Sequence, residues 1–193
     1  MGWISGNRYL NEAEMKNNAD IIKSYLASRG WSVNAISALL GNMQSESTIN
    51  PGIWQSLNEG NMSGGFGLVQ WTPATNFTDW ADSNGYEWAD GEAQLKWIDE
   101  VTTSVGQWIP TTEYAISFED FKTSSLPLSY LTSAFLKNFE RAGVEVESER
   151  QLNALFWYDY LTSGDSPETP GTTSRKRTKF KFILFNRRRR TIL

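Results

Sequence analysis

The 193-residue chain contains no cysteine and no histidine. Without cysteine there is no disulfide framework and no thiol chemistry. Without histidine, Ser-His-Asp and Cys-His machinery is excluded, together with the usual zinc-hydrolase ligand sets. No metal and no cofactor is therefore expected, and the chemistry left to the chain is that of carboxylates. No apolar run is long enough to span a membrane. Met1-Gly2-Trp3-Ile4-Ser5-Gly6 has neither the basic segment nor the apolar core of a secretory signal. Gly6 stands where an acyl-transfer signal has Ser or Thr, so lipidation is not expected.

The formal net charge of −4 conceals two segments. Arg175–Leu193 holds half of the eighteen Lys and Arg residues and no acid, so all twenty-two acidic groups lie in residues 1–174. An acidic body argues against nucleic acid as its ligand. Residues 1–163 read as one domain, long enough to bury a sizeable core. Residues 164–174, with Gly, Ser, Thr and two Pro, read as a linker. The basic tail 175–193 is expected to be disordered. Phe180, Phe182, Ile183, Leu184 and Phe185 between its basic clusters leave open contact with anionic membrane or nucleic acid.

What the chain has in plenty is aromatic residues: nine Trp, seven Tyr and ten Phe, which suit sugar-stacking surfaces as well as cores. The elements are predominantly helical. Asn11 and Glu14 form a predicted capping box ahead of Met15, Ala19, Ile22 and Leu26, with a stop at Arg29-Gly30. Ser32 caps the next helix. Residues 50–66, rich in glycine, read as a loop with a short hairpin. Thr72-Pro73 is the expected start of a helix through Phe77, Trp80 and Ala81, ending at Asn84-Gly85. Asp90, Ser117, Pro127 and Ser148 open four further helices, the last two closing at Gly143 and Gly164. The last is expected to bury Leu152, Leu155, Phe156 and Leu161. The sum predicts an α+β fold, mostly α, with a small β-hairpin beside the second helix.

The chemistry concentrates in Gly41-Asn42-Met43-Gln44-Ser45-Glu46-Ser47-Thr48-Ile49-Asn50-Pro51 and in Gly67-Leu68-Val69-Gln70-Trp71. Leu39, Met43 and Glu46 are four and seven apart, which puts a carboxylate on the apolar face. Asn50-Pro51-Gly52 must break the helix, so Glu46 sits in its last turn. Burial and the negative helix end both disfavour ionisation there, and the Glu46 pKa is expected to rise. A carboxyl protonated near neutral pH is what glycosidic cleavage requires as general acid.

Glu46-Ser47 followed by Gly65-Phe66-Gly67-Leu68-Val69-Gln70 resembles the lysozyme-like superfamily. The run from Gly41 to Pro73, with Gly30-Trp31 ahead of it, resembles the phage tail-associated lysozyme family more closely. The resemblance spans about residues 8–163, including Asn138-Phe139-Glu140-Arg141 and Trp157-Tyr158-Asp159-Tyr160-Leu161. It implies a lysozyme-like fold and a peptidoglycan glycosidase with Glu46 as acid. It also implies a place in a phage tail tip beside other tail proteins, acting on the bacterial wall. With no secretory signal, reaching the wall by host lysis is the other route. Glu140 and Arg141 look structural by the same resemblance.

The second carboxylate stays open. Retaining glycosidases place it about 5–5.5 Å from the acid and inverting ones about 6.5–9.5 Å. Animal-type lysozymes supply an Asp where this chain has Gly65, so the pattern is broken there. Glu59, in Asn58-Glu59-Gly60-Asn61, is the nearest acid in the loop. Either Glu59 completes the pair, or Glu46 works almost alone while a substrate hydroxyl closes on the anomeric carbon, as in lytic transglycosylases. Gln70 is a candidate hydrogen-bonding wall, Trp71 and Trp54 candidate stacking surfaces, Ser47 a candidate orienter of Glu46. Gly67, like Gly65, is a point of close chain approach to sugar.

Overall fold

The computed structural model describes residues 2–141 and 147–163. The linker 164–174, the tail 175–193 and the helix stops at Gly143 and Gly164 lie outside the described residues. Among the described residues seven α-helices follow in order: α1 (Glu12–Ala27), α2 (Val33–Ser47), α3 (Thr75–Asn84), α4 (Gly91–Lys96), α5 (Phe118–Thr123), α6 (Leu128–Phe135) and α7 (Glu147–Ser163). α4 runs on as a π-helical turn over Trp97–Val101, and α6 as another over Leu136–Glu140. No helix of the described residues is long and apolar enough to cross a membrane.

Local chemistry sets most of these boundaries. The Asn11–Glu14 capping box opens α1, and the side chains of Ser32, Asp90 and Ser117 accept from backbone amides at the starts of α2, α4 and α5. Gly85, left-handed, ends α3. Two starts differ from expectation. α3 begins at Thr75, because the Thr72 hydroxyl donates to the Gln70 carbonyl instead of capping a helix. α7 begins at Glu147, so Ser148 lies inside it.

The expected β-hairpin is not formed, and the domain is helical, not α+β. Among the described residues there is no strand, only isolated antiparallel bridges joining Trp54 to Phe66 and Phe66 to Trp71. The reason is in the backbone. Ser56, Leu57, Gly60, Gly67 and Gln70 all have left-handed φ values between 50° and 79°, which a strand cannot continue. Gly64 and Gly65 add no side chains for cross-strand pairing. The segment is a coiled loop pinned to the helices.

α2 is the axle of the domain. Ala35 to Met43 are buried without a gap, so the helix is enclosed on all sides. Its closest neighbour is α7. A Cβ on Gly41 would lie 2.6 Å from the Arg150 carbonyl oxygen and 2.7 Å from the Ala154 Cβ, so only glycine permits this crossing. The buried stripe of α7 is Arg150, Ala154, Trp157 and Leu161, whereas Leu152 and Leu155 are exposed. Of the expected apolar stripe, Leu161 is buried and Phe156 packs partly buried against the core, while Leu152 and Leu155 give way because the contact demands a small residue opposite Gly41 and tolerates a buried arginine. A continuous run of ring contacts fills much of the rest, from Trp31, Phe118, Phe121 and Trp108 through Phe135 and Phe139 to Trp97, Trp71 and Phe77.

Candidate active site

Glu46 occupies the penultimate position of α2, as the helix breaker predicts. The chain then leaves the helix through two consecutive left-handed residues, Thr48 (φ 54°) and Ile49 (φ 56°). Both are β-branched and disfavoured there, so the surroundings must hold them. The Thr48 hydroxyl accepts from the Leu10 amide and donates to the Ser47 carbonyl. Asn50 donates to the carbonyls of Gly6 at 2.7 Å and Arg8 at 2.6 Å, and its Oδ1 accepts from the Gly52 amide. The N-terminal arm is thereby laced over the loop. Ser47 is fully buried, with its hydroxyl bonded to the carbonyls of Met43 and Leu68 at 3.0 and 2.8 Å. Helix end, loop and arm form one rigid mount for Glu46.

The Glu46 side chain is 20% exposed, and Arg150, 5% exposed, donates from Nη2 to its Oε1. The same guanidinium donates from Nη1 to Asn42 Oδ1 at 3.2 Å, one helical turn back. Asn42 Nδ2 in turn donates to the carbonyls of Ala38 and Thr132. Arg150 is thus clamped to α2 and orients one oxygen of the acid. Glu46 Oε2 accepts no hydrogen bond among the described residues. A second carboxyl, Glu140 at the end of the π-helical turn after α6, lies in the field of both Glu46 and Arg150. Its Oε1 is sealed from solvent and has no hydrogen-bond partner among the described residues. Burial first, and the charge of Glu46 second, push the Glu140 carboxyl well above its usual pKa, against the opposing pull of Arg150 and Arg141.

The other predicted site residues sit on the loop that follows. Glu59 is exposed and, with Trp54, Phe66, Trp88, Asn7 and Glu87, lines a cavity of about 450 Å³. Glu46 is not in its lining. Trp54 is 6% exposed and packs on Phe66 and Trp88. Gln70 donates from Nε2 to the carbonyls of Gly67 and Ile53 at 3.0 and 3.2 Å, and its Oε1 accepts nothing among the described residues. Trp71 is buried, stacked on Phe77 at 4.7 Å, with its indole N–H unpartnered. Gly67 (φ 78°) has no room for a side chain, since a Cβ would meet Gln94 Oε1 at 2.6 Å. A Cβ on Gly65 would lie 2.9 Å from Gln70 Oε1 and 3.1 Å from Gln70 Cβ, so a side chain at that position would have to displace Gln70.

Arg150, Asn42 and Gln94 were not singled out from sequence. Gln94 is the hub of the loop: it accepts from the Leu68 amide and donates to the carbonyls of Pro51 and Trp88. For Arg150 a signal did exist, in the spacing Arg150, Ala154, Trp157, Leu161, but only for a reader willing to place a charge on a buried face. Gln94 carries no such signal.

An acid at the end of an enclosed helix, held by a buried arginine and followed by a Gly-rich loop, is the feature around which this helical domain is built. The chain belongs to the phage tail lysozyme family, whose profile matches residues 17–161. It is also 46% identical over 184 residues to morphogenesis protein 1 of Bacillus phage B103. That match takes in 95% of this chain and 48% of the relative, so the chain spans about half the length of the curated relative it matches.

Proposed function

We propose that the chain is a muramidase, cutting the β-1,4 bond between N-acetylmuramic acid and N-acetylglucosamine in peptidoglycan, with Glu46 as general acid. The observation that carries this reading is the asymmetric mounting of Glu46. Arg150 fixes Oε1, while Oε2 is left free to present a proton to the glycosidic oxygen. As that C–O bond breaks, the electron pair stays on the leaving oxygen, which takes the proton. Arg150 stabilises the carboxylate that remains. Trp54 and Glu59 in the loop cavity, with Gln70 beside them, form the sugar-binding side, and Glu59 serves as the second carboxylate of hydrolysis. Ser47 and Gly67 hold that side in register with α2, and Trp71 backs it from the core.

Family membership and the morphogenesis protein of the Bacillus phage support a place in the virion, among tail proteins, opening a Gram-positive wall during infection. A role in host lysis differs in timing, not chemistry. Detection of the chain in purified virions separates the two.

One observation favours a lytic transglycosylase as the second reading: Glu59 lines a cavity in which Glu46 takes no part. The substrate's own hydroxyl then replaces water. Mass spectrometry of released muropeptides decides, with reducing ends expected for hydrolysis and 1,6-anhydro ends for the alternative. Glu46→Gln should abolish clearing of purified walls while leaving the fold intact. Clearing by that variant would overturn the assignment, and walls bound but never solubilised by the unmodified chain would make it a wall-binding module.

A further inference from the structure

The mechanism leaves unused a carboxyl that has a buried, unpartnered oxygen. Glu140 ends the π-helical turn that follows α6, a backbone form that recurs at functional sites. Its residue is half-buried, but carboxyl Oε1 is shut off from solvent with no donor in reach among the described residues. Buried carboxyls are ordinarily hydrogen-bonded, and one left without a partner calls for an explanation. The charged groups that bear on it come from each element around it: Glu46 from α2, Arg150 from α7, and Arg141 next along the chain. Arg141 is drawn away, its Nη1 donating to the Gln107 carbonyl. Arg150 is already committed to Glu46 Oε1 and to Asn42. One guanidinium thus bonds Glu46 and lies in the field of Glu140.

We propose that Glu140 is the positioning residue that decides when Glu46 carries a proton: Arg150 can neutralise only one of the two carboxylates, so the pair keeps one proton between them. This rests on Glu46 as general acid. In the resting arrangement Glu140 holds the proton and Glu46 pairs with Arg150. When the proton is on Glu46, Arg150 compensates Glu140 instead, and the charge of the trio is unchanged. After cleavage, the hydroxyl that adds to the anomeric carbon, from water or from sugar, releases a proton that refills the pair. Such coupled carboxyls titrate as a unit, and the burial that holds Glu140 protonated keeps a proton within the pair.

The test is the pH profile of wall solubilisation for the wild type, Glu140→Gln, Glu140→Asp and Glu46→Gln. Glu140→Gln should move the alkaline limb down by about one pH unit or more, an about tenfold loss of rate on that limb, and Glu140→Asp should restore part of it. A Glu140→Gln profile superimposable on wild type, with Glu46→Gln inactive, would overturn the inference and leave the acid assignment standing. Activity in Glu46→Gln would instead remove the reading on which it rests. Should Glu140→Gln not fold, carbon-detected NMR titration of glutamate carboxyls in the wild type supplies the answer. One carboxyl should titrate above the range of the other glutamates, and its midpoint should fall in Glu46→Gln. All glutamates titrating together in the ordinary range, or a midpoint indifferent to Glu46→Gln, would overturn it.

Discussion

Arg150 and Glu46, 104 residues apart in sequence, meet as an ion pair between α7 and α2, and Arg150 is the more deeply buried partner. The pair exists because the two helices touch at Gly41. It joins the last of the described helices to the proposed acid.

Removing the guanidinium strands the Glu46 carboxylate and the Asn42 amide oxygen in partly dry surroundings. Arg150→Met is expected to lower unfolding free energy by about 2–4 kcal/mol, discounted from the fully buried case because Glu46 keeps some solvent. Urea denaturation measures it. Arg150→Lys should recover little, since an ammonium cannot span both oxygens as the fork does.

Gly41→Ala places a methyl where the Arg150 carbonyl and Ala154 stand. The helices must separate, at a cost of about 1–3 kcal/mol for overpacking. Activity should fall more than stability does, because the same shift pulls Arg150 off Glu46. Wall-clearing rates at a temperature well below both melting points check this.

Asn50→Ala removes the donors that hold the carbonyls of Gly6 and Arg8 and the acceptor for the Gly52 amide. A loss of about 1–3 kcal/mol is expected. Hydrogen exchange should show amides of the N-terminal arm and of the residues after Glu46 losing protection together, before the rest of α2.

The buried Glu140 makes stability depend on pH with a definite sign. The unfolded chain releases this proton near the ordinary value of 4.5, while the folded chain retains it to a higher pH. The folded state then binds more protons, so stability falls as pH rises above that point and levels off once the folded carboxyl ionises. Glu140→Gln is expected to melt with the wild type at about pH 4 and above it at neutral pH. Calorimetry across that range checks the divergence.

Sequence alone determined the helices that carry their own signals. The capping box at Asn11, the caps at Ser32, Asp90 and Ser117, and the breaker after Asn50 act within a few residues of themselves, so tertiary context had nothing to override. For the same reason Glu46 could be placed at a helix end before any coordinates. What the tertiary structure decided was everything set by contact across the chain. The phase of α7 follows from the close approach at Gly41. The loop after Glu46 bends out of a hairpin because Gln94, distant in sequence, takes up its backbone groups. The field around Glu46 is made by Arg150 and Glu140, which lie on two other elements. A charge pattern along one helix reports the solvent it meets there, whereas a buried charge answers only to its neighbours in space, and those become known when the chain has folded.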